Sequence, residues 1–153
     1  MKLAHQIALV LLASAATLPA FAAETTASAS VKVLRPIAVS KNTDLAFGTV
    51  IKPASGTDTV AVANTSSDAA SFTISGEGAQ AITVTVDSSF EMVNGSDKFT
   101  VTTSADKTGA QALSGTLGSA GALAVKVGGS FALPAEAATG NYSGSFKIAA
   151  VYQ

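Results

Sequence analysis

From residue 27 to the C-terminus, apolar residues recur at every second position in short runs, separated by small polar residues and glycine. The last run is the clearest. Phe146, Ile148, Ala150 and Tyr152 alternate with Ser145, Lys147, Ala149 and Val151. A period of two marks a strand with one buried face. Residues 145–152 are therefore predicted to form one strand with its even positions turned inwards. A terminal strand rich in aromatic and β-branched side chains is either an ordinary sheet edge or one that takes a partner strand.

The same period runs through the rest of the chain. Ala27, Ala29, Val31 and Val33 form a comb against Ser28, Ser30 and Lys32, which predicts an N-terminal strand. Arg35-Pro36 interrupts it, because proline lacks an amide donor and restricts its predecessor. Ile37 and Val39, then Leu45, Phe47 and Val50, resume the pattern around a turn at Asn42 and Asp44. Residues 57–63 alternate, and 64–68 are a turn cluster. Phe72 and Ile74, then Ile82, Val84 and Val86, predict two strands flanking residues 76–79. Phe90, Met92 and Val93 lead into Asn94-Gly95, the strongest hairpin signal present, and Phe99 and Val101 follow it. Residues 104–110 read as a polar loop, with a short strand near Leu113 and Leu117. Leu123, Val125 and Val127 precede Gly128-Gly129, which permits a bulge or bend before Phe131 and Leu133. Residues 134–139 are long enough for a single helical turn only.

Turn signals about every ten residues are the spacing of a sandwich. The expected fold is all-β, an immunoglobulin-like or Greek-key β-sandwich. Composition agrees. Of 153 residues, 12% are charged and 6% aromatic, which suits short strands and small turns better than a charged helical bundle. The net charge of −1 gives nothing to attract nucleic acid over distance.

The first residues read differently. Lys2 precedes an apolar run over residues 7–16, too short for a stable bilayer span. Pro19 and Ala20-Phe21-Ala22 then match a secretory leader with cleavage after Ala22. The organisation expected is a signal peptide at 1–22, an N-terminal extension or first strand at 23–35, and a β-sandwich domain at 36–153. Removal of the leader takes away His5, the only histidine, and there is no cysteine. A Ser-His-Asp triad, a cysteine nucleophile and imidazole or thiolate metal sites are then excluded, as is a disulfide. No enzyme, cofactor or metal is expected.

Several short motifs weigh against closer inspection. Gly76-Glu77-Gly78-Ala79 imitates a dinucleotide loop, but no long helix follows it. Ser104-Ala105-Asp106-Lys107 copies a serine–lysine spacing without its partner motifs. Residues 94–97 cannot supply the six to eight oxygens calcium takes. The scattered carboxylates read mostly as solvated strand faces. Tyr142 is placed to cover a sandwich corner with its hydroxyl on nearby backbone. Tyr152 is either an edge aromatic or an anchor for a partner.

The final fourteen residues, from Gly140, resemble the C-terminal strand of chaperone–usher pilins: a glycine fourteenth from the end, a penultimate aromatic and alternating apolar residues between. That resemblance implies a domain lacking its last strand. A periplasmic chaperone supplies the strand first, and the N-terminal extension of a neighbouring subunit then replaces it. The interface positions it implies are Gly140, Tyr142, Phe146, Ile148, Ala150 and Tyr152, with Ala27, Ala29, Val31 and Val33 as the donor strand. A second likeness covers most of the chain. Residues 45–50, Gly115-Thr116-Leu117-Gly118 and Asn141-Tyr142-Ser143-Gly144 resemble a family of small exported bacterial β-domains catalogued as domain of unknown function 4402, and it carries no known catalytic residues.

The functional expectation is a structural subunit of a surface pilus, exported through the periplasm. Its partners are like subunits, a chaperone and an outer-membrane usher, with no nucleic acid and no small-molecule substrate. The alternative is a self-complete exported sandwich that recognises a glycan or a surface protein. Residues 27–34 serve as a donated strand in the first case and as the first strand of their own domain in the second.

Overall fold

The computed structural model describes residues 22–153. The chain divides into two units, residues 1–32 and residues 33–153. The expected leader therefore lies, apart from Ala22, outside the described residues. Residues 22–32 carry no strand and are exposed throughout. The strand expected over Ala27–Val33 is not formed: no ladder includes it, and Val31 and Val33 are 86% and 81% exposed. Periodicity alone does not make a strand; it needs an edge to pair with.

The second unit is all-β. Its strands are β1 (Ala38–Thr43), β2 (Thr57–Val62), β3 (Ala70–Glu77), β4 (Ala81–Val86), β5 (Ser89–Asn94), β6 (Asp97–Ala105), β7 (Gly109–Ala112), β8 (Ala120–Pro134), β9 (Ser143–Gly144) and β10 (Ile148–Tyr152). There is no helix among the described residues. Every pairing is antiparallel. One curled sheet has the order β1-β3-β8-β6-β5-β9 with β2 also on β8, and a smaller sheet has the order β10-β4-β7. The expected sandwich is thus present, with unequal layers.

β8 organises the larger sheet. Gly129 and Ser130 pair with Val62 and Ala61 of β2 and also with Thr103 and Thr102 of β6, so β2 and β6 hold opposite edges. Val127 pairs with Ala70 of β3 and Ala105 of β6. β2 and β3 therefore lie end to end along one edge. Gly121, Val125, Val127, Gly129, Phe131 and Leu133 are all buried, so the alternation passes unbroken through the glycine pair. No bulge or bend forms there. Gly128 is needed because the backbone of β2 leaves the edge against it: a Cβ would stand 2.6 Å from the Asn64 nitrogen.

Other boundaries shift in instructive ways. The hairpin closes on the pair Asn94↔Asp97, so its loop is Gly95-Ser96. Only Gly95 has positive φ there (62°), the pattern of a type II′ turn. The polar loop expected over 104–110 shrinks, since β6 runs to Ala105 and β7 begins at Gly109. Residues 134–137 form one tight turn, Ala137 N–H to Pro134 O at 3.1 Å, and no helical turn.

The interior has two parts. Between the sheets lie Phe72, Ile74, Ile82, Val84, Leu113, Val125 and Val127, each at most 8% exposed. The second part gathers Met92, Val101, Phe131 and Leu133 on the far half of the large sheet. The small sheet has strands of four to six residues, and it packs over the first part alone. Over the second lie Phe47, Ala137 and Tyr142, from segments outside any strand.

Candidate functional site

The incompletely covered half of the large sheet is the site that the fold creates. Two segments cross it without pairing into a sheet, residues 44–52 and 137–142. Between them is a cavity of about 420 Å³, bounded by Phe47, Val50, Met92, Phe99, Phe131 and Tyr142 among others. A second, of about 340 Å³, lies between residues 41–47 and 142–146, over Phe72 and Phe90. Both share Leu45, Phe47, Met92 and Tyr142, so they are adjoining compartments of one groove.

Aromatic rings build its floor and walls. Phe47 meets Phe131 edge-on with centroids 5.0 Å apart, and Phe99 stacks on Phe131 at 5.1 Å. Tyr142 lies 4.4 Å from Phe99, and its hydroxyl donates to Ala138 O at 3.0 Å. That contact is the bond to nearby backbone expected of the Tyr142 hydroxyl. Phe146 sits between Phe72 (6.0 Å) and Phe90 (5.3 Å). Yet Phe47, Phe90, Phe99, Tyr142 and Phe146 are all only half-buried. Charge is confined to the rim. Lys41 pairs with Asp44 at 2.6 Å, and Lys52 donates to Ala137 O at 3.3 Å. Exposed pairs of this kind contribute little stability.

The C-terminal stretch does not form the single strand expected over 145–152. β9 pairs with β5 in the large sheet, and β10 pairs with β4 in the small one. The break at 145–147 has a physical cause. Phe146 drops its ring between two aromatics of the large sheet, while Lys147 N–H donates to the Asp87 carboxylate at 2.8 Å and Asp87 N–H to Lys147 O at 3.0 Å. That pair hands the chain to the second layer. The alternation itself is kept: Phe146, Ile148, Ala150 and Tyr152 are half-buried, and Lys147, Ala149, Val151 and Gln153 are exposed. Among the described residues β10 pairs only with β4, and β1 only with β3. β1 and β10 lie close together, so one seam continues from the groove along these two edges. Gly140, with φ of 154°, packs its backbone against the Asn94 amide.

At its far end the seam is tied shut. Glu77 is a buried carboxylate, 3% exposed. Such a group must be paired. Its Oε2 accepts from the Arg35 amide at 3.4 Å and is ion-paired with Arg35 Nε at the same distance, and its Oε1 accepts from the Gly118 amide. Arg35 Nη2 donates to Gly118 O at 3.2 Å. The Glu77 amide donates to the Tyr152 hydroxyl at 2.6 Å, and that hydroxyl donates to Arg35 O at 2.8 Å. Tyr152 thus spends its polar tip inside its own domain. The sequence marked Arg35 only as part of a strand break and Glu77 only as part of a loop mimic, and did not pair them. The available signal was an acid between two glycines at a strand end, facing an Arg-Pro step.

Among the described residues no three His, Cys, Asp or Glu come together to hold a metal. The family model Domain of unknown function (DUF4402) matches residues 37–152, and the chain belongs to that family. No curated protein and no solved structure matches it.

Proposed function

We propose that this member of the family is a structural subunit of a surface fibre, exported through the periplasm and joined to like subunits by strand donation. A chaperone and an outer-membrane usher are its partners in transit. The observation that carries this reading is the half-covered sheet. An aromatic groove is bordered by two segments without ladder partners, and the apolar comb at Ala27, Ala29, Val31 and Val33 enters no ladder among the described residues. Each valine transferred from water to such a groove contributes about 1.5–3 kcal/mol before ordering costs, and backbone pairing along the border adds register. The pilin-like terminal comb points the same way.

The test is assembly. The purified protein is expected to form linear polymers visible by electron microscopy, and removal of residues 23–34 is expected to abolish them while the domain stays folded. A chain that remains monomeric at high concentration, or a deletion that unfolds the domain, overturns the reading. The second reading, a self-complete module for a glycan or surface protein, draws on the larger cavity, whose volume lies within the range of ligand pockets. It predicts a monomer in which the groove is protected by a soluble glycan.

A further inference from the structure

We infer that the larger cavity, between residues 45–52 and 137–142, is a binding site for a small amphipathic carboxylate: an apolar body of about ten carbons ending in one anionic group. The inference rests on the lining of that cavity and on neither reading of the whole protein's role above.

The lining has two ends of different character. At the bottom are Met92, Phe131 and Leu133, each at most 9% exposed. Phe47 and Phe99 stand against Phe131, and Tyr142 against Phe99, as half-buried aromatic walls. At the mouth are Lys52, Thr139 and Asn141, all exposed. A volume of about 420 Å³ falls in the range of small-molecule sites, which are mostly apolar with a few polar groups that orient the ligand. A wholly polar ligand would lose its water to rings that return no hydrogen bonds. A wholly apolar one would leave the polar mouth without a partner. A ligand with one apolar and one polar end satisfies both.

Lys52 decides the sign of the polar end. Among the described residues that line the cavity, it alone is charged. Its Nζ donates to Ala137 O at 3.3 Å, and it enters no ion pair among the described residues. An ammonium carries three donors, so two remain for a ligand carboxylate. The adjoining compartment differs, because its Lys41 is neutralised by Asp44 at 2.6 Å. Glu136, next to Ala137, is exposed and outside the lining. Aromatic faces by themselves would also attract a cation. The positive charge at the mouth turns that preference towards an anion. Since Lys52 is exposed, its ion pair adds a modest factor. The apolar body supplies most of the affinity, and Lys52 supplies the selection.

Calorimetric titration and amide NMR test this on the monomeric fraction of the purified chain, with decanoate, decylamine and acetate below micelle-forming concentrations. Decanoate is expected to saturate one site and to bind about three- to tenfold more tightly than decylamine. Acetate, which has the charge without the body, is expected not to bind. The decanoate-induced shifts are expected at residues 45–52, 131–133 and 137–142. Lys52→Gln is expected to bind decanoate and decylamine alike, and Lys52→Glu to reverse their order. The NMR spectra of the variants report their fold, and the comparison of ligands in the unmodified chain stands without them. No saturable binding of decanoate, shifts centred elsewhere, decylamine binding as tightly as decanoate, or an order unchanged in folded Lys52→Glu overturns the inference.

Discussion

Gly76 and the Tyr152 hydroxyl occupy one place: a methyl group on Gly76 would overlap the tyrosine oxygen. The oxygen is held there by the Glu77 amide, one residue further along β3. The Leu113 side chain crowds the same place, 2.9 Å from where that methyl group would stand, so Tyr152 and Leu113 together reserve this strand position for glycine.

Gly76→Ala follows directly. The alanine must push Tyr152 aside, and both hydrogen bonds of its hydroxyl lengthen. Urea unfolding is expected to show a loss of about 1–3 kcal/mol. The double variant Gly76→Ala with Tyr152→Phe is expected to lose less than the two single effects added, because the clash and the bonds share one oxygen.

Glu77→Gln keeps the shape but removes the charge that faces Arg35 and the Gly118 amide. A drop of about 1–3 kcal/mol is expected, from buried donors left poorly satisfied. Arg35→Ala should cost less, since its side chain is 53% exposed and water replaces part of the contact. Equal losses in the two unfolding curves would contradict the burial argument.

The end of β6 carries the clearest pH dependence. Burial by itself raises the Asp106 carboxyl. The hydrogen bond from Lys107, the Lys126 amide and the Lys107 charge outweigh it, and the carboxyl sits below its ordinary value of 3.8. A depressed folded value means stability that is present above pH 3.8 and lost as pH falls through the folded value. Unfolding free energy measured from pH 6 down to about 2 should therefore fall less steeply in Asp106→Asn than in the unmodified chain. Parallel curves would refute this assignment.

Burial separates two isoleucines. Ile74 is 0% exposed between the layers, while Ile51 is 89% exposed beside the groove. Ile74→Ala is expected to cost about 2–5 kcal/mol. Ile51→Ala should stay within about 0.5 kcal/mol in the monomer. Thermal or urea unfolding of the two variants side by side checks the contrast.

What the sequence determined by itself was local. Alternation placed β2, β3, β4, β5, β6 and β10 nearly where they stand, and the glycine after Asn94 announced the hairpin, one residue out of phase. A period of two fixes which side chains share a face, and these are short-range facts. It does not say which edge a strand meets. Residues 27–33 alternate as well as any strand, and Leu45 and Phe47 take up the same period, yet neither segment has a ladder. Nor could periodicity see that β3 and β4, consecutive in the chain, belong to different sheets. Long-range pairing also split the terminal comb at Phe146, because the aromatic contacts on either side of it lie more than fifty residues away in sequence. The joint of Arg35, Glu77 and Tyr152 was the least legible part. Tyr152 stood out in the terminal comb, but nothing in the one-dimensional pattern linked it to Arg35 or Glu77, and only the folding of both sheets brings a buried charge, its partner and a hydroxyl to the same point. Burial turns a carboxylate from a solvated surface group into one that must be paired, and burial belongs to the tertiary structure alone.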